Sequence, residues 1–148
     1  MKIGAGVYSR WNNAGLDSSI CPIAQTSPMA NAYGSTAEND TGAGLPRAEY
    51  LIESEPASGH TVAYTLREAL LTINIYHNSS NDLETALDLV EQTFDNCDRA
   101  VTNPLTVSGG TVVRVQYKDR TSGPVNEKVY LGTVEFEIEV QRQNTIPA

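Results

Sequence analysis

Two histidines and two cysteines among 148 residues leave little from which to build a catalytic or metal centre. A zinc site needs three or four converging ligands. His60 follows Gly59 in turn-like sequence, and His77 precedes Asn78-Ser79-Ser80; neither has a second ligand motif beside it. Cys21 and Cys97 are isolated and without metal-ligand spacing, which fits buried, reduced thiols better than a disulfide framework. No nucleophile-elbow sequence accompanies either histidine. Gly4-Ala5-Gly6 lacks a preceding strand, and Gly42-Ala43-Gly44 lacks a following helix, so neither builds a phosphate cradle. Basic residues are also scarce: ten Lys and Arg against eighteen Asp and Glu give a net charge of −8. That balance excludes a tight grip on nucleic acid, which needs clustered cations against phosphates. Long apolar runs are missing too. Arg10, Asn12, Asn13 and Asp17 interrupt the first twenty residues, so neither a signal peptide nor a membrane span is expected. No cofactor is implied.

What the chain does contain is periodicity. Over 127–142, Tyr130, Val134, Phe136, Ile138 and Val140 alternate with Glu135, Glu137 and Glu139. Side chains alternate faces along a strand, so three carboxylates line one side of a sheet while apolar groups fill the other. Like charges so placed repel unless a cation or a use for the field offsets them. Carboxylates two apart on one face sit about 6–7 Å from each other, a spacing compatible with glycosidase pairs. Such sites require an aromatic-lined cleft, and one tryptophan does not furnish it. The stripe therefore reads as a surface for assembly rather than as an active site.

The remaining elements follow in order. Val7, Trp11, Ala14 and Ile20 share a face of a helix over about 5–20, weakened at Gly15. The stretch 21–46 is rich in Ser, Thr, Asn, Gly and Pro, shows no period, and reads as a long variable loop. A short strand over 47–53 sets Ala48, Tyr50 and Ile52 against Glu49 and Leu51, and Pro56-Ala57-Ser58-Gly59 supplies a turn. A strand over 61–77 follows, with a bulge expected near residues 67–69. A second helix is capped by Asn81 with Glu84, or by Ser80, and buries Leu83, Ala86, Leu87, Val90, Phe94 and Cys97. Two strands, 111–118 and 128–142, close the chain. The fold class this predicts is α+β over residues 1–148: a two-layer sandwich with a mainly antiparallel four-stranded sheet and two helices, in the order helix-strand-strand-helix-strand-strand.

If the final hairpin turns over 119–126, Lys118 falls opposite Val129 or Leu131, and Arg114 falls near Thr133 or Glu135. Arg114 is then the candidate cross-strand partner for the first glutamate, and Glu139 extends past the hairpin. Glu137 and Glu139 are left to line a channel or to meet a basic neighbour.

Short motifs in this order resemble the tail terminator (tail-completion) proteins of long-tailed bacteriophages. They are Val7-Tyr8-Ser9-Arg10-Trp11-Asn12 with Gly15-Leu16-Asp17, the proline-led Leu45-Pro46-Arg47-Ala48-Glu49-Tyr50, Thr72-Ile73-Asn74-Ile75-Tyr76-His77, and Phe94-Asp95-Asn96. The resemblance implies a non-enzymatic virion subunit that forms a ring, typically a hexamer, at the tube–neck junction. Such a ring caps the tail tube protein, ends its polymerisation and offers a surface to the head-tail connector or neck protein. DNA passes through it without specific binding, and acidic channel linings are common in that family. A head-completion or neck adaptor, or a soluble ligand-binding or regulatory α/β domain, are the alternative readings. The polar segments 21–44, 55–60 and 119–126 are expected to order upon assembly.

Overall fold

The computed structural model describes residues 3–25, 44–60, 64–100, 102–107 and 109–143. Helix α1 (Gly4–Asn13) and the single turn α2 (Leu16–Ser19) come first. Strands β1 (Ile23–Gln25), β2 (Arg47–His60) and β3 (Tyr64–His77) follow. Helix α3 (Ser80–Phe94) and a 3-10 turn (Cys97–Arg99) precede the hairpin β4 (Thr111–Pro124) and β5 (Tyr130–Gln143). The strands form one sheet in the order β1-β2-β3-β5-β4, antiparallel except for β1 on β2. The fold is thus α+β, but the sheet is five-stranded and mixed rather than four-stranded.

Several expectations are corrected. The first helix breaks at Gly15, whose left-handed backbone (φ 79°) begins a separate short helix. Strand β1 lies inside the stretch read as loop; three residues are too few to show a period, and most of that loop, 26–43, lies outside the described residues. Strand β2 continues through Pro56-Ala57-Ser58-Gly59 instead of turning there. Its register slips between Ser54 and Ala57 and again between Ala57 and Gly59, and Pro56 occupies the first slip. A residue with no N–H is tolerated where the ladder is interrupted. The bulge expected on β3 is therefore on β2, and β3 pairs with β5 without a break from Tyr64↔Gln143 to His77↔Tyr130. The cap of α3 is Ser79, whose hydroxyl accepts from Asp82 N at 3.3 Å. Finally, Ser122-Gly123-Pro124 pairs with Gly132, Leu131 and Tyr130, so the hairpin turns over 125–129 rather than 119–126. Segments 55–60 and 119–124 are strand, not loops awaiting a partner.

The core lies between one sheet face and the helices. Leu83, Ala86, Leu87, Val90 and Phe94 of α3 are all buried, as their spacing predicts, and meet Leu71, Ile73, Ile75, Val134, Phe136 and Ile138. Trp11, Phe94 and Phe136 form a line of rings with centroids 6.5 and 5.8 Å apart. Trp11 Nε1 donates to the Cys21 carbonyl at 2.8 Å, which satisfies its one polar atom. Both cysteines are buried and free, and desolvation pushes each thiol up to about 11, which favours the neutral thiol packed in the core.

The β4 edge is closed by acid side chains. Asp98 and Asp95 accept from the outward N–H groups of Val115 and Tyr117, each at 3.0 Å, and Asn96 N donates to the Val115 carbonyl at 2.9 Å. Asp119 accepts from Arg120 N at 2.8 Å. These bonds, with bulges at Val112/Arg114 and Tyr117/Asp119, remove the template that an edge strand otherwise offers another chain.

Candidate functional site: the acidic sheet face

The sheet face away from the helices can be read off the register as rows. Glu49, Asn74, Thr133 and Thr121 form one, and Leu51, Thr72, Glu135 and Asp119 the next. Glu53, Leu70, Glu137 and Gln116 follow, then Glu68, Glu139 and Arg114. Glu135, Glu137 and Glu139 therefore share a face opposite the buried Val134, Phe136, Ile138 and Val140, as their alternation predicts. The sequence reading missed that Glu53, Glu68 and Asp119 join them. Parity along β2 and β3 signals the two glutamates; Asp119 is placed by the hairpin register, which the loop length decides.

Arg114 does not meet Glu135. It lies opposite Glu139, with Nη2 3.6 Å from Glu139 Oε2 and 3.9 Å from Glu137 Oε2. Lys118 Nζ lies 3.9 Å from Glu137 Oε1 rather than beside Val129 or Leu131. Arg114 Nη1 also donates to Gln116 Oε1 at 2.7 Å. The reason is the shorter turn: strands that extend to Pro124 and Tyr130 slide Arg114 toward the end of β5. The two glutamates thought most free are the partnered ones, and Glu135 faces the like charge of Asp119. These contacts are half-exposed and long, so each contributes about 0–1 kcal/mol.

A second charged cluster ties the hairpin to α3. Arg120 points to the helix side, with Nη2 2.6 Å from Glu84 Oε2, and with Nη1 2.6 Å from Asp88 Oδ1 and 3.3 Å from Glu91 Oε2. The bond to Asp88, followed by that to Glu84, raises the Arg120 pKa against the lowering by desolvation. Bonds from Ser122 and then Arg120 hold the Glu84 carboxyl below its ordinary range.

Glu49 differs from the other acids on the open face. It is 3% exposed, its Oε1 lies 2.7 Å from Arg47 Nη2, and its Oε2 has no hydrogen-bond partner among the described residues. Desolvation raises its pKa, opposed by the charge and hydrogen bond of Arg47. Folding thus favours the neutral form relative to the unfolded chain, and Glu49 contributes stability that is full below the unfolded value near 4.5 and lost as pH rises through the folded pKa. Glu49→Gln is accordingly expected to be more stable than the parent at pH 7, the gap closing as pH falls toward 4.5. Urea unfolding of both proteins across that window measures it. A gap of the opposite sign at pH 7 would show that the Arg47 pair outweighs the desolvation.

No group of three or more potential metal-binding residues occurs among the described residues. His77 Nδ1 accepts from Ser79 N at 3.2 Å and borders a pocket of about 250 Å³ with Ser19, Ile20, Asp82 and Leu89. That volume is below the usual range for small-molecule sites, about 300–1,000 Å³. The side chain of His60 lies outside the described residues. No described helix is long and apolar enough to cross a membrane.

Among the described residues, helices on one side of a five-stranded sheet and a charged face on the other define a two-layer α+β fold. The same fold occurs in a chain of a solved structure described as the virion of a native gene transfer agent particle. The match has a TM-score of 0.67 at 14% sequence identity and covers 93% of this chain and 92% of that one. No family model matches this sequence, and no curated protein matches it.

Proposed function

We propose that this chain is a structural subunit of a phage-like virion. The observation that carries the reading is the likeness, over nearly the whole of both chains, to a component of the gene transfer agent particle. The tail-terminator motifs of the sequence support it from an independent direction. In this reading residues 1–148 form one tail-terminator-like domain. Copies assemble into a ring, with a hexamer expected, that caps the tail tube, ends its growth and receives the head connector while DNA passes through the centre. The subunit works by shape and charge and carries out no catalysis. A head-completion or neck adaptor role rests on the same likeness, and immunolabelling of particles separates the two: label at the last tube ring supports the terminator.

Glu135, Glu137 and Glu139 then face either the channel or a neighbouring subunit. Their side chains lie off the core, so the triple change to Gln is expected to leave thermal unfolding within about 1 kcal/mol of the parent. Ring assembly, or the yield of DNA-filled particles, is expected to fall. Unchanged assembly and unchanged filling would remove the stripe from the function.

A further inference from the structure

At the end of the sheet away from the hairpin turn, the two faces carry opposite charge. The open face presents Glu53 and Glu68, with Glu68 directly opposite Glu139 and the cation Arg114 beyond it in the same row. On the reverse face Arg67 lies opposite Val140 and Arg142 opposite Thr65, so the two arginines are diagonal neighbours on adjacent strands. Both are exposed, and neither has an ion-pair partner among the described residues. A sheet end acidic on one face and basic on the other is complementary to itself by translation and rotation, not by a two-fold axis. Contacts of that head-to-tail kind close into rings when the rotation permits. Strand addition along β4 is disfavoured as a competing route, because Asp98, Asp95 and Asp119 occupy the outward amides of Val115, Tyr117 and Arg120.

We propose that a second copy of this chain docks here, the Glu53/Glu68 face of one subunit against the Arg67/Arg142 face of the next. The inference rests on the ring-forming reading above and names the surfaces that would build the ring. Opposed charges fix orientation and partner choice across such a contact, and Glu68 and Glu139 gain the cations that their own sheet does not supply in full.

The test uses two charge-reversed variants of the full chain, R67E/R142E, acidic on both faces, and E53K/E68K, basic on both. Mass photometry and light scattering at low salt follow each alone and in equimolar mixture, and circular dichroism verifies the fold. The parent is expected to self-associate and to dissociate as salt rises. Each variant alone is expected to associate about tenfold more weakly or worse, and the mixture to recover association through alternating copies. If the parent assembles and both variants assemble equally well, this contact is wrong while the ring reading stands. If both variants fail and their mixture does not recover, the charges matter but do not face each other, which also overturns the contact. A parent that stays monomeric at every concentration overturns the ring reading and the contact together.

Discussion

Phe94→Ala is expected to destabilise the fold by about 3–5 kcal/mol, the cost of emptying a fully buried aromatic site. Phe94 closes the last turn of α3 and stands between Trp11 and Phe136, so it joins the first helix, α3 and the interior strand β5 in one contact. Ring pairs add about 0.5–1.5 kcal/mol beyond area burial, and this residue makes two. Its neighbours cannot close the gap cheaply: Trp11 is tethered through its indole N–H to Cys21, and Phe136 is fixed in a strand paired on both sides. The loss has a second consequence. Asp95 follows Phe94 directly and Asp98 lies four residues on, and both close the β4 edge, so loosening this turn frees the amides of Val115 and Tyr117. The variant is therefore expected to show a lower urea midpoint and concentration-dependent aggregation on warming. Phe94→Leu is expected to retain most of both properties. A variant Phe94→Ala within 1 kcal/mol of the parent would mean that the helical layer repacks freely, contrary to this geometry.

The same segment shows why some of the molecule can be read from its sequence and some cannot. The stripe of α3 and the alternation of β5 are local patterns, so their buried residues follow from period alone. Register is not local. Ser122-Gly123-Pro124 has turn chemistry, yet Gly123 and Pro124 extend β4 as far as the pairing of β5 with β3 carries the partner strand. That extension moved Arg114 from Glu135 to Glu139. Glu49 shows the other limit. Its position on the open face is legible from alternation with Ala48 and Tyr50, but its burial is not. Tyr76 and Leu131 pair one row along that face, where Val129 and Leu45 pack with them, and of these only Leu45 is near Glu49 in sequence. The opposed charges of Arg67 and Glu68 are visible only once β3 is known to run through them without the expected bulge.

Gly6→Ala sets two known effects against each other. Alanine favours a helix interior over glycine by about 1 kcal/mol, so an exposed site would gain stability. At Gly6 an added Cβ falls on the carbonyl oxygen of Thr106, and lies 3.2 Å from the Thr106 carbonyl carbon and 3.3 Å from Leu105 Cδ1. The obstacle is backbone, which has no rotamer to change. Nor can the segment swing aside. Arg10, one turn further along α1, donates to the carbonyls of Thr102 and Asn103 at 2.9 and 3.2 Å and to that of Thr93 from two nitrogens. Leu105 is buried and its N–H is bonded to the Cys97 carbonyl at 3.2 Å. Relief must come from lifting α1, which carries Val7 and Trp11 out of the core with it. Overpacking costs about 1–3 kcal/mol, and more where the backbone itself must move, so the clash is expected to outweigh the propensity gain. Chemical denaturation of Gly6→Ala beside Gly15→Ala separates steric overlap from backbone strain. Gly15 has open space around its Cβ position but a φ of 79°, so its cost is about 1–2 kcal/mol from conformation alone. A stabilised Gly6→Ala would show that α1 stands away from Thr106, and with it the line of rings through Trp11 would need to be redrawn.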